Sequence, residues 1–244
     1  MHRLIPLLVM VPFSAHAVLI GQIDTFDSSV ANWSNVNSRY NTVTYVPGNG
    51  PGGAGDSFMQ LSVSGYHLGA SNKAQWTGNY LAAGISSIEM DLNYFAGVSM
   101  VNVRLLLWGN GGVWASSSTT PVSPGWNHYV FSLAPADLIL VSLDVDHAFQ
   151  GTGSGILNDT LSTVNSLLLR NDFDTPTIPG THPPHITATM GVDNIEAVPE
   201  PATLAYLLLG GSGIYMARAR RQTRLEDEFI TRGWRTRPAH RDPH

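Results

Sequence analysis

The chain has no cysteine among its 244 residues. That excludes disulfide staples, thiolate metal sites and a thiol nucleophile, so stability has to come from a packed core or a bound metal. Charge is scarce too, at 13% of residues. Basic charge is scarcest in the middle. Between residues 18 and 197 the basic residues are Arg39, Lys73, Arg104 and Arg170, against thirteen acidic ones. An acidic body lacks the basic face that phosphates demand, so nucleic acid is not an expected partner. The body also lacks a convincing amphipathic helix; residues 134–138 are expected to make a single turn at most.

What is present is a set of short alternating stretches broken by turns. Residues 87–95 put Ile88, Met90, Leu92 and Tyr94 on one face and Glu89, Asp91 and Asn93 on the other, the period of a half-buried strand. Residues 100–108 follow, with Val101, Val103, Leu105 and Leu107 sharing a face. Gly109, Asn110, Gly111 and Gly112 make a turn, and residues 113–116 return as a hairpin partner. Residues 126–133, 164–170 and 187–198 are further predicted strands, and 58–63 and 23–27 are weaker ones. Residues 49–55 and 151–155 are glycine-rich loops. Many short strands with frequent turns predict an all-β antiparallel sandwich over residues 18–197.

The ends read as targeting segments. His2 and Arg3 precede an apolar stretch at 4–13, and Ala15-His16-Ala17 fits a signal peptidase site, so residues 1–17 are expected to be a signal peptide. At the other end, Pro199-Glu200-Pro201 is followed by residues 202–217, which carry no charge, and then by Arg218, Arg220 and Arg221. A bilayer core needs about 20 apolar residues, so this run is slightly short for a single transmembrane helix. Arginines beside a span stay cytoplasmic, which would leave the body outside. Residues 222–244 are charged and poor in apolar residues, so a disordered basic tail is expected.

The order turn, apolar run and arginine cluster over 198–221 resembles the PEP-CTERM sorting segment of Gram-negative bacteria. The resemblance implies export and an inner-membrane-anchored precursor. It also implies processing by an exosortase-type enzyme, then a cell-surface or extracellular location with exopolysaccharide. Continuation to His244 departs from that pattern. Three fragments of the body resemble jelly-roll domains of the carbohydrate-binding-module or galactose-binding-like kind. They are Asp24-x-Phe26-Asp27 with Trp33, Gly125-Trp126-x-x-Tyr129-x-Phe131-x-Leu133, and Gly191-Val192-Asp193-Asn194-Ile195. That resemblance implies glycan binding and a structural calcium pinning the first strand to the last through Asp24 or Asp27 and Asp193.

Candidate ligand residues are aromatic, because sugar faces stack on exposed rings. Trp114, Trp76, Trp108 and Tyr80 sit near loops or strand ends, whereas Trp33 and Trp126 are expected in the core. The pairs Asp144/Asp146 and Asp172/Asp174 could each share a cation on one strand face. Catalysis finds little support. Gly153-Ser154-Gly155 is one residue short of a nucleophile elbow, and Glu89 and Asp91 are expected to be solvated. The chain therefore reads as a non-enzymatic, exported, polysaccharide-associated protein. The alternative is a glycan-active enzyme on a jelly-roll scaffold, a hydrolase or lyase.

Overall fold

The computed structural model describes residues 17–36, 39–145, 151–178 and 184–200. Pro201, the apolar run 202–217, Arg218, Arg220, Arg221, the tail, and residues 1–16 of the expected signal peptide lie outside the described residues, as do Asp146, His147 and His182. Among the described residues no helix is long and apolar enough to cross a membrane.

Thirteen strands are described: β1 (Ile23–Asp24), β2 (Ser34–Asn35), β3 (Asn41–Val46), β4 (Phe58–Tyr66), β5 (Gly69–Asn72), β6 (Ile85–Gly97), β7 (Asn102–Gly109), β8 (Gly112–Ser116), β9 (Thr120–Pro121), β10 (Asn127–Ser132), β11 (Leu138–Ser142), β12 (Ser166–Asn171) and β13 (Ile186–Pro199). A helical turn, α1 (Leu157–Leu161), precedes β12. The predicted turn near 134–138 is a 3-10 turn at Pro135–Asp137. All strand pairs are antiparallel. They form two sheets. Sheet A runs β10-β6-β13-β4-β3, with β1 also on β13. Sheet B runs β11-β8-β7-β12-β5-β2, with β9 on β7.

The core lies between the sheets. Ile88, Met90 and Leu92 of β6 face Val103, Leu105 and Leu107 of β7 across it, as the alternation in the sequence predicts. Residues 102–109 and 166–171 nevertheless depart from a half-buried pattern. Leu106, Trp108, Val113, Ala115 and Leu168 make a second apolar cluster on the outer face of sheet B. A near-continuous apolar run such as Leu105-Leu106-Leu107-Trp108 suits a strand covered on both faces. The outer face also buries an ion network. Asp172 lies 2.8 Å from Arg170 Nη2 and 3.4 Å from Arg104 Nε. The Arg104 guanidinium also donates to the carbonyls of Ser116, Phe173 and Asp174. Asp172 and Asp174 therefore do not share a cation, as the sequence allowed; Asp172 neutralises two buried arginines.

β13 is the organising strand, with fourteen residues. It pairs with β6 along its length, with β4 over its first half, and with β1 at Ile195 and Glu196. The ladder continues past the expected boundary at 197, because Pro199 still pairs with Ile85. The chain's internal contacts divide between Pro199 and Glu200.

Candidate functional site

The outer face of sheet A is unlike that of sheet B. Inward positions of β10, namely Tyr129 and Phe131, pack on the core. The alternate residues, Trp126, His128 and Val130, therefore face out. Register then sets the rows. Val130 and Glu196 flank Glu89; His128 and Asp193 flank Asp91; Asn93 is followed by Gly191, Gln60 and Thr44. Thr189, Ser62 and Thr42 make the next row, with the Ser62 and Thr189 hydroxyls 3.2 Å apart.

Three rings lie on this face. Trp126 meets Phe58 with centroids 5.2 Å apart and Phe95 at 5.8 Å, both edge-on, and Phe58 and Phe95 are 5.3 Å apart. The Trp126 indole N–H donates to the Asn49 carbonyl at 3.0 Å, so the glycine-rich loop 47–57 holds the ring down. Gly191 makes room for it. A Cβ there would stand 2.5 Å from Trp126 Cη2 and 2.8 Å from Phe95 Cε2. Phe58 is buried beneath, while Phe95 is exposed. Trp126 was expected in the core; its place on the outer face is a correction that follows from the inward turn of Tyr129 and Phe131.

Beside the rings is an acidic row. His128 bridges two carboxylates, with Nε2 3.0 Å from Glu89 and Nδ1 3.1 Å from Asp91. Glu89 above all, and then Asp91, raise the imidazole pKa above its ordinary value despite some desolvation. Asn194 Nδ2 donates to the other Asp91 oxygen at 2.8 Å. Glu89 and Asp91 are thus tied by side chains, where the sequence suggested only solvation.

Asp193 sits where β13 exchanges β4 for β1. The ladder shifts register there, and Asn194 takes a left-handed conformation at φ 49°. Asp193 Oδ1 accepts the Asn194 N–H at 2.8 Å, but the buried Oδ2 has no hydrogen-bond partner. Burial pushes the carboxyl up to about 7, and Asp56, Asp91 and Asp27 push in the same direction. Asp27 and the start of β4 are linked locally. Tyr45 Oη donates to the Asp27 carbonyl at 3.2 Å and lies 3.2 Å from Ser57 Oγ.

Asp24 does something else. Its Oδ2 accepts the indole N–H groups of Trp33 at 2.7 Å and Trp76 at 2.6 Å, and Gln75 donates to both oxygens. Its oxygens are engaged by these donors, whereas Asp27 is among the carboxylates that raise the Asp193 pKa. The expected aromatic platform is corrected as well. Trp76 and Tyr80 are fully buried, and Trp108 lies in the apolar cluster on sheet B. Trp114 packs its ring against the main core. Trp76, Tyr80 and Trp108 thus have no exposed ring, Trp114 is half-buried, and on sheet A Phe95 is exposed and Trp126 half-buried.

No protein-family model matches the chain, and no curated protein matches its sequence. Several solved structures are similar in fold. An exo-β-agarase matches at 14% identity over 75% of this chain and 26% of its own, with a TM-score of 0.50. A family 11 carbohydrate-binding module from Clostridium thermocellum, in complex with a β-1,3-1,4-mixed-linked tetrasaccharide, matches at 15% identity over 74% of this chain and 96% of its own, with a TM-score of 0.47. The CBM22-1 xylan-binding domain from Paenibacillus barcinonensis matches at 12% identity over 75% and 98%, with a TM-score of 0.42. The chain thus spans about a quarter of the agarase. At these identities the likeness is one of fold: an all-β sandwich of two antiparallel sheets.

Proposed function

We propose that the sandwich is a non-catalytic polysaccharide-binding module of an exported cell-surface or extracellular-matrix protein. The supporting observation is the outer face of sheet A. Trp126 and Phe95 offer apolar ring surface, bordered by a strip of hydroxyl and amide groups from Thr42, Thr44, Gln60, Ser62, Thr189 and Asn93. A sugar ring has the same divided character, with C–H faces and hydroxyl edges. Glu89 and Asp91, on the same face of β6, are bound to His128 rather than poised as an acid and nucleophile pair.

The test is affinity electrophoresis of the full chain through gels containing exopolysaccharide, agar, mixed-linked β-glucan or xylan. Retardation by at least one, abolished in Trp126→Ala, is expected. Unaltered mobility in every gel overturns the reading. Release of new reducing ends from any of them would move the chain to the glycan-active alternative.

Calcium belongs to the same proposal. Among the described residues no three His, Asp or Glu side chains are gathered closely enough to hold a metal by themselves. The unpartnered Asp193 Oδ2, with Asp27 and Asp56 near it, nonetheless fits a hard cation completed by carbonyls and water. When bound, the ion would tie the first strand, the start of β4 and the last strand together.

The order of the C-terminal sequence supports the remaining part. Residues 202–217 hold the precursor at the membrane with Arg218, Arg220 and Arg221 inside, and an exosortase-type enzyme processes it near Pro199-Glu200-Pro201. Intact mass of the mature protein from cells tests this, with cuts after Ala17 and near Pro201 expected.

A further inference from the structure

One end of the sandwich carries an exposed apolar patch around the last residue of β13. Leu19 is 66% exposed, Ile23 and Leu81 45% each, and Ile20 43%. Two turns present them. The turn at 19–22 is pinned to the end of β13, since Gly21 N–H donates to the Ala197 carbonyl and Ala197 N–H to the Gln22 carbonyl, both at 2.9 Å. The turn at 79–84 closes with the Gly84 N–H on the Leu81 carbonyl at 3.0 Å. The turns touch: Ile20 Cδ1 lies 3.7 Å from the place a Cβ on Gly84 would take. The next residue, Ile85, pairs with Pro199. Large exposed apolar side chains scattered singly mean little, but grouped ones mark a contact surface.

The sequence that follows β13 bears on what could cover the patch. Only Glu200 and Pro201 separate β13 from the uncharged run 202–217. Two residues span at most about 7 Å. If that run enters a bilayer, the patch is brought to the headgroup region with it. Neither turn contains lysine or arginine, so attraction to anionic lipid is not the driving term.

We propose that Leu19, Ile20 and Leu81 insert at the headgroup–acyl boundary, seating this end of the sandwich on the lipid surface. This rests on the reading of residues 202–217 as a membrane segment. The opposite end of β6, next to Val98, lies about 40 Å from Ile85 at 3.3 Å per residue and serves as the reference position.

The absence of native cysteine permits a direct test on the full chain. Ile20→Cys, Leu81→Cys and the control Val98→Cys, the last at a 90% exposed position, each take one fluorescent label, and the proteins are reconstituted with phosphatidylcholine vesicles. Flotation reports on the membrane segment separately. The expected result is flotation, with labels at 20 and 81 quenched several-fold more by doxyl lipid than the label at 98, and less by aqueous iodide. Raised salt should leave this pattern intact. Flotation with all three labels equally open to iodide overturns the docking while keeping the membrane segment. Loss of the pattern in salt overturns apolar docking, and a chain that does not float overturns both.

Discussion

Trp33 and Trp76, 43 residues apart in the chain, donate their indole N–H groups to one oxygen, Asp24 Oδ2. Their ring centroids lie 6.5 Å apart, so one carboxylate joins two core aromatics from separate segments of the chain. Hydrogen bonds to a charged acceptor contribute about 1.5–3 kcal/mol each, and orphaned buried donors cost a further 1–3 kcal/mol or so. Asp24→Ala is therefore expected to lower stability by about 3 kcal/mol or more in urea denaturation. Asp24→Asn, which keeps one acceptor oxygen, should cost less.

Asp193 makes stability depend on pH, and the proposed calcium site would link that dependence to calcium. Its folded pKa, about 7, is above that of an ordinary carboxyl, so the folded state holds a proton that the unfolded chain has released. The sign follows: stability contributed by the protonated group is complete below about pH 4 and is lost as pH rises towards and through 7. Without calcium, Asp193→Asn should remove that loss and melt higher than the parent at pH 8. With calcium, the parent should gain more in melting temperature at pH 8 than at pH 5.5, and Asp193→Asn should gain little. Equal melting with calcium and with chelator would remove the cation site.

His128 titrates with the opposite partners. Its raised pKa means that the imidazolium's contribution is complete below the unfolded value and disappears as pH rises through the folded one. The ring is more than half exposed, so the contribution to stability stays under about 1 kcal/mol. An NMR titration should show the His128 midpoint falling in Glu89→Gln, and falling less in Asp91→Asn, because Glu89 is the stronger influence.

Gly191→Ala tests the aromatic pad without removing a ring. The new methyl must displace Trp126, whose indole is half-buried and can swing outward. The expected outcome is altered Trp fluorescence and weakened polysaccharide retardation, with a small change in melting temperature compared with Asp24→Ala.

Asp172→Ala leaves Arg104 and Arg170 buried without their shared counter-charge. Breaking a buried pair costs about 3–5 kcal/mol, which guanidinium denaturation would register as a large shift in midpoint.

Much of the sandwich was legible because its strands alternate. The inward sets of β6 and β7 were readable from Ile88 to Tyr94 and from Val101 to Leu107. Strand β3 was missed although Asn41-Thr-Val-Thr-Tyr-Val46 is rich in β-branched residues, and α1 was missed because five residues carry no helical period. The site was less legible. Trp76 and Tyr80 belong to a segment between β5 and β6 with no repeating pattern, so only tertiary packing decides that they are buried. Trp126 could have been placed: Tyr129, Phe131 and Leu133 alternate inward, which sends residue 126 outward. Asp24 and Asp27 share the first strand region, and nothing in their spacing says which one meets two indoles.

The long last strand has a mechanical consequence. Force applied along β13 at its C-terminal end acts in line with its antiparallel neighbours β6 and β1. Force in that direction loads the ladder hydrogen bonds in shear, many at once, rather than unzipping them singly. If the proposed polysaccharide site and membrane attachment both hold, drag on the bound polymer is carried by the fourteen-residue strand β13.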